Sequence, residues 1–268
     1  MGDQESARSV GAVPDPSWSR LYRVGGVCAG VFVTLLVAAI VLSIATPPPP
    51  TTGGAATLAY IAAHRTLYTV HQQLWLVPGV FAAITYLALY PALKHLDRGA
   101  AALGTAVGGG AWALTLAMPT TSTGAPALVY LSDQFAATAD PARRAAVSAA
   151  AETLIAQNRT PGAVGILTTV GLLIVSIVML KGVFPRAVAQ LGIAVGVLGI
   201  ASEALRPVIE GGYGIYGVLL LVWMGAVGRT LYRLGSSKGT APQEHRRWLV
   251  ARRRPDGPGS EAPRATTR

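Results

Sequence analysis

The sequence predicts an all-α, polytopic membrane helix bundle of six transmembrane helices with a small extracytoplasmic helical cap, and three observations predict it. Of 268 residues, 51% are hydrophobic and only 13% are charged, a balance that soluble domains rarely show. The apolar residues lie in continuous blocks of about 20, enough to cross a hydrocarbon core about 30 Å thick. Lys and Arg, which give a formal charge of +10, collect at the block ends and in the C-terminal segment instead of on one folded face. The charge therefore speaks for topology and against a nucleic-acid partner.

Residues 1–19 mix Gly, Pro, Ser and both charges without periodicity and read as a disordered leader, ending at the interfacial anchors Trp18, Arg20, Tyr22 and Arg23. The first span is Val24 to Ala45. Ser43 and Ala45 resemble residues before a signal-peptide cleavage site, but the stretch exceeds a normal apolar signal region, so a retained helix is expected. Cys28, the only cysteine, lies within it, which excludes an intramolecular disulfide and makes the thiol a small packing group. Pro47 to Pro50 lack amide donors and end the helix. From Ala55 a helical pattern resumes and runs through His64 and Arg65 into the second span, Leu67 to Leu93, with a kink expected at Pro78-Gly79.

Lys94, His95, Asp97 and Arg98 form a short polar turn into the third span, Gly99 to Met118. The long connection from Pro119 to Pro161 is Ala-rich and broken at Asp140-Pro141, which predicts two cap helices, Ala125 to Ala139 and Pro141 to Gln157, with Asp140 as N-cap. Spans four, five and six are Gly162 to Leu180, Ala187 to Leu205 and Gly212 to Leu231. The membrane domain thus covers 20–234, and 235–268 read as a disordered basic tail. The cytoplasmic side should be rich in Lys and Arg. With both termini inside it holds the leader cations, Lys94, Arg98, Lys181, Arg186 and everything from Arg229 onward. The outside holds only Arg65, Arg143, Arg144, Arg159 and Arg206. The expected location is the cell (inner) membrane, with the cap outside.

Specific residues add a resemblance. Leu21-Tyr22-Arg23-Val24-Gly25-Gly26, Pro126-Ala127, Leu131-Ser132-Asp133-Gln134-Phe135-Ala136-Ala137-Thr138 and Leu180-Lys181-Gly182-Val183-Phe184 recur with Asp140, Arg144-Ala145-Ala146, Ala150-Ala151-Glu152, Leu154-Ile155-Ala156 and Ala189-Gln190-Leu191-Gly192-Ile193. The pattern resembles a widespread prokaryotic family of six-helix integral membrane proteins defined as a domain of unknown function, over roughly Ser19 to Leu234. The resemblance implies fold and location, and it carries no activity.

Several constellations are candidates for chemistry. His64, Tyr68, His71 and Trp75 recur along one helix face near the outer boundary, with Gln72 and Gln73 beside them. Polar groups at that depth are costly unless paired or wet. They read either as an interfacial belt with interhelical hydrogen bonds or as an outer-leaflet polar pocket made by His64, Tyr68, His71, Gln72, Glu203 and Glu210. Glu203 at the end of span five reads either as the i,i+3 partner of Arg206 or as part of a proton or cation relay. In the cap, Asp133, Gln134, Arg144 and Glu152 are expected to order the helices, with Asp133 capping or pairing with Arg143 or Arg144.

No metal site and no cofactor are expected, because no tight ligand motif joins Glu152 to His64 or His71. Gly211-Gly212-Tyr213-Gly214 lacks the context of a potassium filter, and no serine sits in a nucleophile elbow. No catalytic residue is assigned. Gly26 and Gly30, Gly104 and Gly108, and Gly192 and Gly196 allow close helix approach within one chain or in a homo-oligomer. Arg246, Arg247, Arg252, Arg253 and Arg254 are expected to contact anionic lipid headgroups. The leading functional expectation is a non-enzymatic membrane protein acting in sensing, envelope organisation or as a partner subunit. A small-molecule or ion transporter is the alternative, and a membrane-embedded enzyme the third.

Overall fold

Helix α1 (Ser19–Ala45) begins where a one-turn 3-10 helix, Pro16–Trp18, hands over to it, and it stops where Thr46 turns extended before the proline run. The computed structural model describes residues 15–50, 52–117, 121, 124–159, 162–206, 208 and 212–237. It divides the chain into a unit Met1–Ser236 and a unit Ser237–Arg268, the second lying, Ser237 apart, outside the described residues.

Five stretches are long and apolar enough to cross a membrane: Pro16–Ala45, Arg65–Leu93, Arg98–Ala117, Arg186–Ala204 and Gly214–Ser236. The second is two helices, α3 (Arg65–Leu76) and α4 (Pro78–Leu93), broken at Val77 because Pro78 brings no N–H to the ladder. This is the kink expected at Pro78-Gly79. The others are α5 (Arg98–Ala117), α9 (Arg186–Ala204) and α10 (Gly212–Ser236). The remaining expected span, α8 (Ala163–Met179), is apolar but has only 17 residues. At about 1.5 Å per residue it reaches across most of a hydrocarbon core, and local thinning of the bilayer or snorkelling of flanking residues would cover the rest.

These helices close a ring in chain order: α1 packs on α4, α4 on α5, α5 on α8, α8 on α9, α9 on α10, and α10 back on α1. Glycine makes the closest seams. Gly26 lies on Gly228 and Tyr232, Gly108 on Tyr86 and Gly171, Gly192 on Ser176 and Trp223, and Gly196 on Leu173, so a methyl group at any of them would collide. Gly104 meets Val175, whereas Gly30 meets nothing within 4 Å. The expected small-residue pairs thus serve seams within one chain, Gly30 excepted. Trp223, Tyr22, Tyr86 and Phe32 fill the interior, while Val24, Val27, Val41, Ile44, Leu87, Leu103, Val197, Val218 and Val222 face outward as a lipid-facing surface would.

The cap has three helices instead of two. The segment read as leading straight into span two is a separate helix, α2 (Gly54–Ala63), because the backbone at His64 (φ −126°, ψ 34°) breaks the helix there. It packs on α6 (Ala127–Ala137) and α7 (Pro141–Arg159) around a second small core of Leu58, Ile61, Tyr68, Leu128, Ala151 and Ile155. Asp140 caps α7 as expected, its carboxylate accepting from Ala142 N at 3.1 Å.

Candidate functional site

At the capped end, α3 carries the aromatic and histidine stripe, and three of its four members share a face. His64 sits at the break, exposed, and stacks on Tyr60 with ring centroids 4.5 Å apart. Tyr68 is buried, and its hydroxyl donates to Ala125 O and accepts from Ala125 N, each at 3.2 Å. It also fills the space beside Gly124, whose φ of +143° suits only glycine. One turn on, His71 Nε2 lies 2.7 Å from Ser43 Oγ of α1 and 3.1 Å from Trp75 Nε1. The indole N–H can only donate, so its bond requires a neutral ring with the proton on Nδ1. Gln72, 1% exposed, accepts from Thr121 Oγ1 at 2.7 Å and so holds the turn that Thr121 closes with Gly124.

A cleft of about 30 Å³ opens beside His71, lined by Ser43, Thr46, Pro47, Tyr60 and Tyr68 among others. It has room for about one or two waters. Glu203 is not among its lining residues. That carboxylate belongs to α9 and is 1% exposed. Its Oε1 accepts from Gly162 N at 2.7 Å, where α8 begins, and its Oε2 accepts from Arg206 at 2.5 Å. Gly165 leaves the room it needs. An acid at a helix N-terminus meets unsatisfied N–H groups and the positive end of the helix dipole. Glu203 therefore pairs with Arg206 at i,i+3 and also ties α9 to α8. Glu210 lies outside the described residues.

The other acidic residues here work the same way. Glu152 Oε1 accepts from Gly54 N at 3.0 Å, at the start of α2. Asp133 pairs with Arg65 at 2.6 Å, which corrects the expectation of Arg143 or Arg144, since α6 lies against the α2–α3 corner. Arg143 instead reaches Gln134 at 3.1 Å, and Arg144 lies over the Phe135 ring, 4.4 Å from its centroid. Among the described residues no group of three or more His, Cys, Asp or Glu could hold a metal ion.

The opposite end gathers Arg20, Arg23, Lys94, Arg98, Lys181, Arg186, Arg229 and Arg233 with only Asp15 and Asp97 among the described residues. Asp97 caps α5 through Ala100 N at 3.0 Å and pairs with Lys181 at 2.7 Å. The Lys181 bond, then the Ala100 amide, holds its carboxyl below the usual value. Desolvation, then the charge of Lys94, lowers His95 in the same turn. Lys94 stands 5.0 Å over the Trp18 ring, and Arg23 Nε donates to Gly235 O at 2.7 Å, joining α1 to α10. Arg246, Arg247 and Arg252 to Arg254 lie outside the described residues.

Sequence reading missed Ser43, Thr121 and Gly162 as partners. Each is a small residue in an apolar or loop context, and nothing local signals a partner 28, 49 or 41 positions away. Residues 24–233 match the model of a family described as a domain of unknown function (DUF4386), and the chain belongs to that family. No curated protein and no solved structure matches it.

Proposed function

We propose that this member of the DUF4386 family is a non-enzymatic protein of the cell membrane, with both termini cytoplasmic and the three-helix cap outside, acting as a sensor or partner subunit through that cap. One observation supports this reading above the others. The polar side chains of the capped end are committed pairwise to holding elements together: Tyr68 to Ala125, Gln72 to Thr121, His71 to Ser43, Glu152 to Gly54 and Glu203 to Gly162. General acid–base work needs such groups aimed at one substrate position, and a transport site normally lies near the midplane.

Orientation rests on the cation excess at the uncapped end. Reporter fusions after Leu234 and after Thr138 test it: the first should read cytoplasmic and the second external, and the reverse pattern overturns the orientation. The cleft beside His71 favours a second reading, a small-molecule site at the outer surface. Proteoliposome flux and ligand-dependent melting decide between the two. Flux lost in both His71→Ala and Glu203→Gln would restore a shared site and sink the non-transport reading, whereas ligand-dependent melting without flux is the behaviour of a sensor.

A further inference from the structure

The uncapped end carries a surface that its topology alone does not explain. The outward face of α1 runs Val24, Val27, Val37, Val41 and Ile44, and it is headed by exposed Arg20 and Arg23. The outward face of α10 runs Ile215, Val218 and Val222, and it ends in exposed Arg229, Tyr232 and Arg233. Neither helix contains an acidic residue. At this end the nearest acid in sequence, Asp15, is engaged by Ser17 N at 2.9 Å.

The two faces adjoin, because α1 and α10 are packed together and Arg23 bonds Gly235 O. Their register sets the depth of each cation. Gly235 lies against Ser19 and Arg23, and Gly26 against Gly228 and Tyr232. Arg229 is therefore level with Val27, about one turn, roughly 5 Å, inside Arg23. Among the described residues Arg20 and Arg229 make no hydrogen bond or ion pair. A guanidinium placed on an apolar, outward face needs an anion at the depth it can reach by snorkelling.

We propose that Arg20, Arg23, Arg229 and Arg233 form a binding surface for an anionic phospholipid, whose phosphate they share and whose chains lie along Val24, Val27 and Val222. The unbroken apolar face directly beneath the cations fits a lipid better than free phosphate, and the charges of Arg20 and Arg229, which no described residue meets, select anionic over zwitterionic headgroups. The surface belongs to the folded helices and is independent of the C-terminal arginines. It rests on the membrane reading but not on which side the cap faces, which the reporter fusions test separately.

The test uses full-length protein in phosphatidylcholine nanodiscs with increasing phosphatidylglycerol, read by thermal melting. Phosphatidylglycerol should raise the melting temperature saturably, while added inorganic phosphate should not. Arg20→Gln with Arg229→Gln should melt like wild type in pure phosphatidylcholine yet need roughly tenfold more phosphatidylglycerol for half the shift. If the pair melts early, Arg229→Gln alone supplies the comparison. Replacing Arg246, Arg247, Arg252, Arg253 and Arg254 with Gln should leave the shift in place. An unchanged titration in the Arg20/Arg229 variant, an equal shift with inorganic phosphate, or loss of the shift on neutralising the tail overturns the proposal.

Discussion

The two ends of the bundle handle charge in opposite ways. At the capped end, Asp133, Asp140, Glu152 and Glu203 each hold an N–H group of this chain, from a helix start or an arginine, and three of them join residues at least 41 positions apart. At the other end eight described cations face two acids, and Asp97 meets one of them. The lesson is that charge serves the two ends differently. Acids and amides at the capped end are internal fasteners, whereas at the other end Arg20 and Arg229 make no hydrogen bond or ion pair among the described residues.

The sharpest way to break this contrast is Glu203→Ala. It strands the Gly162 amide and removes the carboxylate from a half-buried Arg206, and should destabilise by about 3 kcal/mol in detergent melting. Glu203→Gln keeps an acceptor for Gly162 and should cost less than half as much. An equal loss in both variants would show that the charge pair, and not the helix-start bond, matters. Tyr68→Phe comes next, at about 1–2 kcal/mol, because it unpairs the N–H of buried Ala125 and takes one of two donors from its C=O, which keeps Leu128 N. Limited proteolysis should find the loop near Gly124 cut faster in this variant.

Glu152→Ala removes only a cap at the start of α2 and should cost about 1 kcal/mol. Hydrogen exchange should rise at Gly54 to Leu58 while α8 is unchanged. The smallest effect belongs to the uncapped end. Asp97 has its folded pKa below the ordinary 3.8, so its contribution is full above that value and is lost as pH falls through the folded one. Asp97→Asn should therefore melt slightly earlier than wild type at pH 6, with the difference shrinking as pH falls below 3.8. A variant that melts alike at every pH would remove Asp97 from the stability of that turn.

Much of the fold was legible because it answers to a local rule. A block of apolar residues is a span, Pro47 to Pro50 end α1 for want of amides, Pro78 breaks α3 from α4, and Asp140 before Pro141 opens α7. The Glu203–Arg206 pair was readable for the same reason, since its spacing is one helical turn. The break at His64 was not, because no proline or glycine marks it. The apolar pattern of 54–76 is continuous, and what interrupts it is the packing of α2 against α6 and α7.

The sequence by itself determined that this is a helical membrane bundle, where its long apolar helices lie and which end is basic, because bilayer thickness and charge cost act on each segment separately. Only the tertiary structure decided which polar groups meet. Ser43 reaches His71, Thr121 reaches Gln72, Arg65 takes Asp133 in place of Arg143 or Arg144, and Gly162 claims Glu203. Those pairings span 28 to 68 residues of sequence. They exist because the ring closes with these helix ends side by side, a condition that no stretch of chain carries on its own.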